Sequence, residues 1–238
     1  MHAQANQTVS SNHAAGLALC RGLDSNASAK VALAGKSQRL AAGQHLFSEG
    51  DEADGVYEVV SGIVRLHKLL PDGRRQVIGF IGAGQLLGFS GDDDYAYTAE
   101  ALTSVTLQRY GRASFERLLD EIPGLARRLL KAASAELLAA QDQMLLLGRK
   151  SATERIGSFL LAMAALQGAS GRSREVQIPM SRSDIADYLG LTVETVSRTL
   201  AKLKHDGAIG LPVPNRVTVL DYDQIESLSD GSGAVSCH

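Results

Sequence analysis

From about Gln44 to Tyr110, short runs of apolar positions alternate with polar ones. Glycines punctuate them at Gly50, Gly55, Gly62, Gly73, Gly79, Gly82, Gly84, Gly88 and Gly91. Period-two alternation marks strands that bury one face, and turns every eight to twelve residues or so mark an all-β sandwich or small barrel. Within Ile63 to Leu70, Val64 and Leu66 alternate with Arg65 and His67. Pro71-Asp72-Gly73 then supplies a preset φ and a residue tolerant of positive φ before Arg75 to Ile81 resumes, which predicts a hairpin. After Tyr110 the period lengthens. A short helix is expected over Ser114 to Leu119, and a long one restarts after Ile122, with Pro123 in the first turn, where a missing N–H costs nothing.

Along the long helix Leu130, Ala133, Leu137, Ala140, Met144 and Leu147 follow at alternating spacings of three and four. That is the a/d seam of a coiled coil. Such a stripe can also pack on strands of its own chain. A strict two-per-seven seam is narrower than the face a globular helix usually buries, and alternate alanines suit close approach of a second helix, so self-association is the favoured reading. At 1.5 Å per residue, about 25 residues run close to 40 Å, enough to join two domains.

Ser151-Ala152-Thr153-Glu154 is a capping-box sequence opening a helix with apolar face Ile156, Phe159, Leu160 and Met163, and Gly168 stands where it can end. A short strand, Val176 to Met180, precedes a second box, Ser181-Arg182-Ser183-Asp184, and a helix carrying Ile185, Ala186 and Leu189. Ala186, Gly190 and Val196 then stand at the offsets of a helix-turn-helix. They are a small residue where two helices touch, a glycine where the backbone turns, and an aliphatic lock on the second helix. An αα-hairpin without a DNA role would show them too, so the outer face of the second helix decides.

Thr192 is the expected N-cap, which places Val193, Glu194, Ser197 and Arg198 in the first two turns. A carboxylate can accept from cytosine N4 and a guanidinium can donate twice to guanine O6 and N7, so Glu194 and Arg198 are suited to the two sides of a G·C pair. Ser197 and the Val193 methyls suit neighbouring bases. A solvent-exposed ion pair is the alternative for Glu194 and Arg198. Beyond Lys202, Lys204 and His205, alternation from Ile209 to Leu220 around Pro212, Pro214 and Asn215 predicts a two-stranded wing. Ser181, Arg182, Thr192, Thr195, Lys202 and Arg216 are the candidate phosphate contacts, which fix register without reading bases.

Composition narrows the classes. The chain has 238 residues, 45% apolar and 21% charged, ordinary for one to two globular domains. Its longest apolar run, Ile156 to Leu166, falls short of the roughly 20 residues that span a bilayer, so no membrane segment is expected. The first fourteen residues lack a basic stretch followed by an apolar one, which points to a cytoplasmic chain. Cys20 and Cys237 stand near opposite ends, allowing no disulfide framework or Cys-rich cluster, and they read as plain thiols. His45 and His67 are joined by no carboxylate pattern, so no metal is expected, and no catalytic constellation argues for an enzyme. The net charge of −2 is an average: residues 171–216 hold seven Lys/Arg against five Asp/Glu, whereas 217–238 hold none against four and 1–110 hold nine against eleven. A basic head is offset by an acidic β-region and an acidic tail.

The run IADYLGLTVETVSR, with Glu194 to Arg198 as its most specific part, resembles the recognition motif of the CRP/FNR superfamily of bacterial transcription regulators, in particular its FixK-like branch. The likeness extends to Tyr57–Gly88 and to the long helix. It implies an α+β fold: an N-terminal β-roll (jelly-roll, cyclic-nucleotide-binding-like), a long dimerisation helix, and a C-terminal winged helix-turn-helix. The expected divisions are a flexible N-terminus (1–15), the β-roll (16–122), the helix (123–149), the DNA-binding domain (150–226) and a flexible tail (227–238). The resemblance further implies a homodimeric activator that binds double-stranded DNA at a palindrome resembling TTGAT-N4-ATCAA and recruits RNA polymerase. The implied targets are genes of microaerobic or nitrogen-fixing metabolism. Iron–sulfur sensing needs several N-terminal cysteines and finds only Cys20. The stretch Gly84–Leu102 contains no arginine for a phosphate and carries Asp92, Asp93 and Asp94 instead, so cyclic nucleotide is not expected. No cofactor is therefore expected. A regulator whose β-roll binds some other small molecule is the alternative.

Overall fold

The computed structural model describes residues 17–89, 93–167, 175–213 and 215–230. Its contacts form two units. One holds the described residues up to Lys68 together with Gly79–Leu137, and the other holds Leu69–Ile78 together with those from Leu138 on.

The first unit opens with a 3-10 turn, Ala18–Cys20, and helix α1, Ser25–Ala34, neither anticipated by the alternation pattern. Asp24 caps α1 by accepting from the Ala27 N–H at 2.8 Å, and only Val31 and Ala32 are fully buried, too few to give a helical period. Eight strands follow: β1 Lys36–Leu40, β2 His45–Phe47, β3 Gly55–Ser61, β4 Val64–Leu69, β5 Arg75–Ile81, β6 Leu86–Leu87, β7 Thr98–Ala101 and β8 Val105–Gly111. They form two four-stranded sheets ordered β1-β8-β3-β6 and β2-β7-β4-β5. Strands β3 and β8 are covered on both faces. Tyr57, Val59, Val105 and Leu107 join Val64, Leu66, Leu87 and Ala99 in one core. Val56 and Tyr110 point the other way, into a second core with Leu17, Val31, Phe115, Leu118 and Leu125. Helix α2, Arg112–Glu121, is longer at both ends than the expected Ser114–Leu119, and α3 runs Pro123–Arg149.

In the second unit the hairpin tip closes as expected. The Leu70 N–H donates to Arg74 O at 2.8 Å, and Gly73 takes φ +81°. Helix α4, Ala152–Leu166, starts in the Ser151/Glu154 capping box. Then come β9 Glu175–Gln177, α5 Arg182–Leu189, α6 Val193–His205, β10 Ile209–Val213, β11 Arg216–Val219 and α7 Tyr222–Ser229. The expected Val176–Met180 strand pairs only over Glu175–Gln177, opposite Arg216 to Thr218. The wing is accordingly three-stranded, β10-β11-β9.

The expected mobile tail from Ser227 is corrected over its first residues. Ser227–Ser229 complete α7, whose Ile225 and Ser229 are buried. Gly157 of α4 faces this helix, and a Cβ there would make ordinary contacts, 3.4 Å from Ile225 O and 3.5 Å from Ser229 N. The expected mobile N-terminus 1–15, the rest of the tail from residue 231, and Gly91, Asp92, Gly168, Pro214 and Cys237 lie outside the described residues. Among the described residues no helix is long and apolar enough to cross a membrane.

Candidate nucleic-acid interface

The helix-turn-helix is built from local signals. Ser181 caps α5, accepting from the Asp184 N–H at 3.0 Å while Asp184 Oδ2 accepts from the Ser181 N–H at 2.9 Å. The helix stops at Gly190, whose φ of +61° is the left-handed conformation that favours glycine, and the Leu191 N–H closes the turn onto Ala186 O at 3.0 Å. Thr192 then caps α6 by accepting from the Thr195 N–H at 3.1 Å. Val196, Thr199, Leu200 and Leu203 form the buried stripe of α6. Ala186 is buried too.

What the burial of that stripe leaves outside is one continuous face. Val193, Glu194, Ser197 and Arg198 are all exposed on it, and Ala201, Lys204 and His205 extend it toward the C-terminus. Glu194 and Arg198 face each other at 3.3 Å with side chains 82% and 71% exposed, so the pair is held only loosely and both ends are presented to solvent.

The six candidate phosphate contacts are not equivalent. Lys202 is exposed on the flank of α6, beside the cationic last turn that also holds Lys204 and His205. The Ser181 hydroxyl is engaged with Asp184, donating to Oδ2 at 2.8 Å. The Thr192 and Thr195 hydroxyls lie 2.9 Å apart and are hydrogen-bonded to each other, one donating and the other accepting. Arg216 is paired with Glu175 at 3.3 Å. Arg182 is half-buried, and that burial lowers its pKa from the ordinary arginine value.

On α3 the side chains of Leu130, Leu137 and Met144 are 60% or more exposed, Ala133 and Ala140 are exposed, and Leu147 is partly so. Leu138 and Leu145, each 61% exposed, broaden the apolar surface beyond the a/d pair. Their seven-residue separation was the readable sign. Leu147 has a second neighbour, because a Cβ on Gly190 would lie 3.2 Å from its Cδ2. Two more residues without a sequence signature shape the head. Arg75 Nη2 lies 2.6 Å from Asp184 Oδ1 and 2.7 Å from Asp187 Oδ2, all within the second unit. Arg155 donates to four backbone carbonyls.

The Gly84–Leu102 stretch of the first unit is filled by aromatic side chains. The Phe47 ring stacks on Tyr95 with centroids 3.7 Å apart. Gly88, at φ +84°, donates its N–H to Tyr97 Oη at 3.1 Å, so this turn amide already has an acceptor. Cys20 is buried, donating weakly to Ser28 O, and burial, aided by Glu58, pushes its thiol pKa up to about 11.

Comparison with known proteins agrees with this layout. Residues 37–121 match the family model of the cyclic nucleotide-binding domain, and residues 154–228 match that of the Crp-like helix-turn-helix domain. The chain is 42% identical over 216 residues to the nitrogen fixation regulation protein FixK of Bradyrhizobium diazoefficiens, covering 89% of this chain and 90% of that protein. It is also 42% identical over 218 residues to the transcriptional activatory protein AadR of Rhodopseudomonas palustris, covering 90% of each. The solved structure of FixK2 from Bradyrhizobium japonicum superposes with a TM-score of 0.76 at 34% identity, covering 85% of this chain and 99% of that one. With the two-domain matches, the presented face of α6 and these full-length relatives in agreement, the chain belongs to the CRP/FNR family of DNA-binding transcription regulators.

Proposed function

We propose that this regulator binds as a homodimer to a palindrome resembling TTGAT-N4-ATCAA, without a small-molecule effector, and activates transcription by engaging RNA polymerase in the cytoplasm. Its targets are genes of microaerobic or nitrogen-fixing metabolism, a reading supported by the names of its FixK and AadR relatives. The observation that carries the proposal is the exposed quartet on α6. Glu194 accepts from cytosine N4 and Arg198 donates to guanine O6 and N7 of one base pair, while Ser197 and the Val193 methyls meet neighbouring bases. Separating Glu194 from Arg198 costs only about 0.3–0.5 kcal/mol, so the loose pair does not obstruct recognition. Lys202 and Lys204 supply phosphate contacts that fix register. The apolar surface of α3 pairs two copies, setting two heads about 34 Å apart on one side of the duplex.

Independence from cyclic nucleotide is supported by the missing arginine between Gly84 and Leu102. A second reading, dependence on another small effector, draws on a recess of about 170 Å³ lined by Gly55, Val56, Phe89, Phe115, Leu119 and Leu129. A more open recess of about 780 Å³, lined by Glu52, Asp54, Asp93, Arg112 and Ser114, adjoins it and exceeds the roughly 300 Å³ at which ordinary ligand sites begin, so volume alone does not decide between the readings. Gel-shift titration of purified, ligand-free protein tests the choice. The autonomous activator retains the palindrome and loses a scrambled duplex. Binding that appears only after a small molecule is added favours the second reading.

A further inference from the structure

Arg155 sits in the first turn of α4, yet its guanidinium is engaged entirely with the backbone of other segments. Nε donates to Lys150 O at 2.9 Å, and Nη2 to Leu147 O at 2.9 Å. Nη1 donates to Leu189 O at 2.8 Å and more weakly to Gly190 O at 3.4 Å. The first two carbonyls belong to the end of α3 and the residue after it, where a helix leaves its last carbonyls without intrahelical donors. The other two belong to the turn of the helix-turn-helix. One planar fork therefore ties the terminus of the long helix to the turn that aims α6. Leu147 packs against the same turn at Gly190, and Gln143 Nε2 adds a bond to Tyr188 O at 2.9 Å.

We infer that Arg155 is a positioning residue that fixes the direction of the recognition helix relative to α3 and so determines which half-site spacing the dimer accepts. The inference rests on the dimeric, palindrome-binding reading. Each base pair added between half-sites moves the second one by about 3.4 Å and rotates it by roughly 35°. A head held rigidly on α3 meets one spacing without reorganising and is penalised at the others. A head held by fewer bonds must be ordered at the favoured spacing and bends to reach the rest.

The test measures affinities of the full-length protein and of Arg155→Ala for palindromes with spacers from about two to six base pairs. The same titrations include one half-site carrying a substituted G·C pair. For Arg155→Ala, affinity at the favoured spacer should fall about tenfold, the scale of one charge-assisted hydrogen bond, while the other spacers change little, flattening the profile. Discrimination at the G·C pair should persist, and sedimentation should still give a dimer. Arg155→Lys, with three donors on a flexible stem, should give an intermediate profile, and it decides the matter if Arg155→Ala does not unfold cooperatively. A parallel loss at every spacer, or an unchanged profile, overturns the inference while leaving palindrome binding intact. If the unsubstituted protein prefers no spacing, the palindromic reading itself fails and the inference falls with it.

Discussion

Arg198 and Glu194 differ from the other charged residues of α6 in what they stand to lose. Their mutual contact is exposed and weak, so neither is held by the fold, and truncating either should leave stability nearly unchanged. Replacing Arg198 with Ala should cost roughly 1–3 kcal/mol of specific binding and relax preference at the guanine it is proposed to read. Gel shifts on operators with that base pair exchanged measure this, and unchanged discrimination would remove Arg198 from base reading. Cys20 makes the opposite case. Buried, with a thiol pKa pushed up to about 11, it stays protonated at neutral pH, where the nucleophilic thiolate is scarce. Iodoacetamide should therefore label Cys20 in urea and spare it in the folded protein, read out by peptide mapping. Labelling of Cys20 in the folded chain would show an accessible, reactive thiol instead. The sequence made the α6 quartet visible because recognition residues must be exposed at a fixed distance from a cap. It held no sign of Arg155, whose partners are backbone carbonyls, some of them 34 and 35 residues away, or of Arg75, whose carboxylates lie 109 and 112 residues along the chain.

At the scale of elements, the turn of the helix-turn-helix was legible because Ala186, Gly190 and Val196 act within a few residues of one another. Gly190→Ala should destabilise the protein by about 1–2 kcal/mol, the cost of a left-handed conformation for a residue with a Cβ. The 3.2 Å approach of Leu147 adds to it, and urea unfolding reads the sum. The third wing strand and the end of α7 were less legible. Strand β9 is only Glu175–Gln177 and is defined by pairing with a strand about 40 residues later, and α7 is itself an acidic, serine-containing stretch in which only Ile225 and Ser229 are buried. On α3, a charge placed in the apolar surface would, in the proposed dimer, meet the partner helix without relief. Leu137→Glu should yield monomers that bind the full palindrome weakly, seen by sedimentation and gel shift together. A variant that sediments as a dimer would refute the seam.

For the whole molecule, a net charge of −2 says little because the charge is segregated by segment. A dimer presents the Lys202, Lys204 and His205 end of α6 twice, so DNA binding should weaken steeply with salt. Removing one of the proposed phosphate contacts, Lys202→Ala, should lower the logarithmic salt slope by about one unit for each phosphate no longer neutralised, while leaving sequence preference alone. A slope that does not move would place Lys202 away from the backbone of the duplex.

The tip of the β4–β5 hairpin belongs to the second unit, and Arg75 there meets Asp184, the carboxylate that also completes the cap of α5. The DNA-reading head is thus not a contiguous stretch of sequence. A piece cut at residue 138 leaves behind the Arg75 guanidinium that Asp184 and Asp187 share. Heads exchanged between relatives at the end of the long helix would inherit a cap matched to someone else's hairpin. A successful graft has to carry residues 69–78 along with the head, or replace that charge from within it.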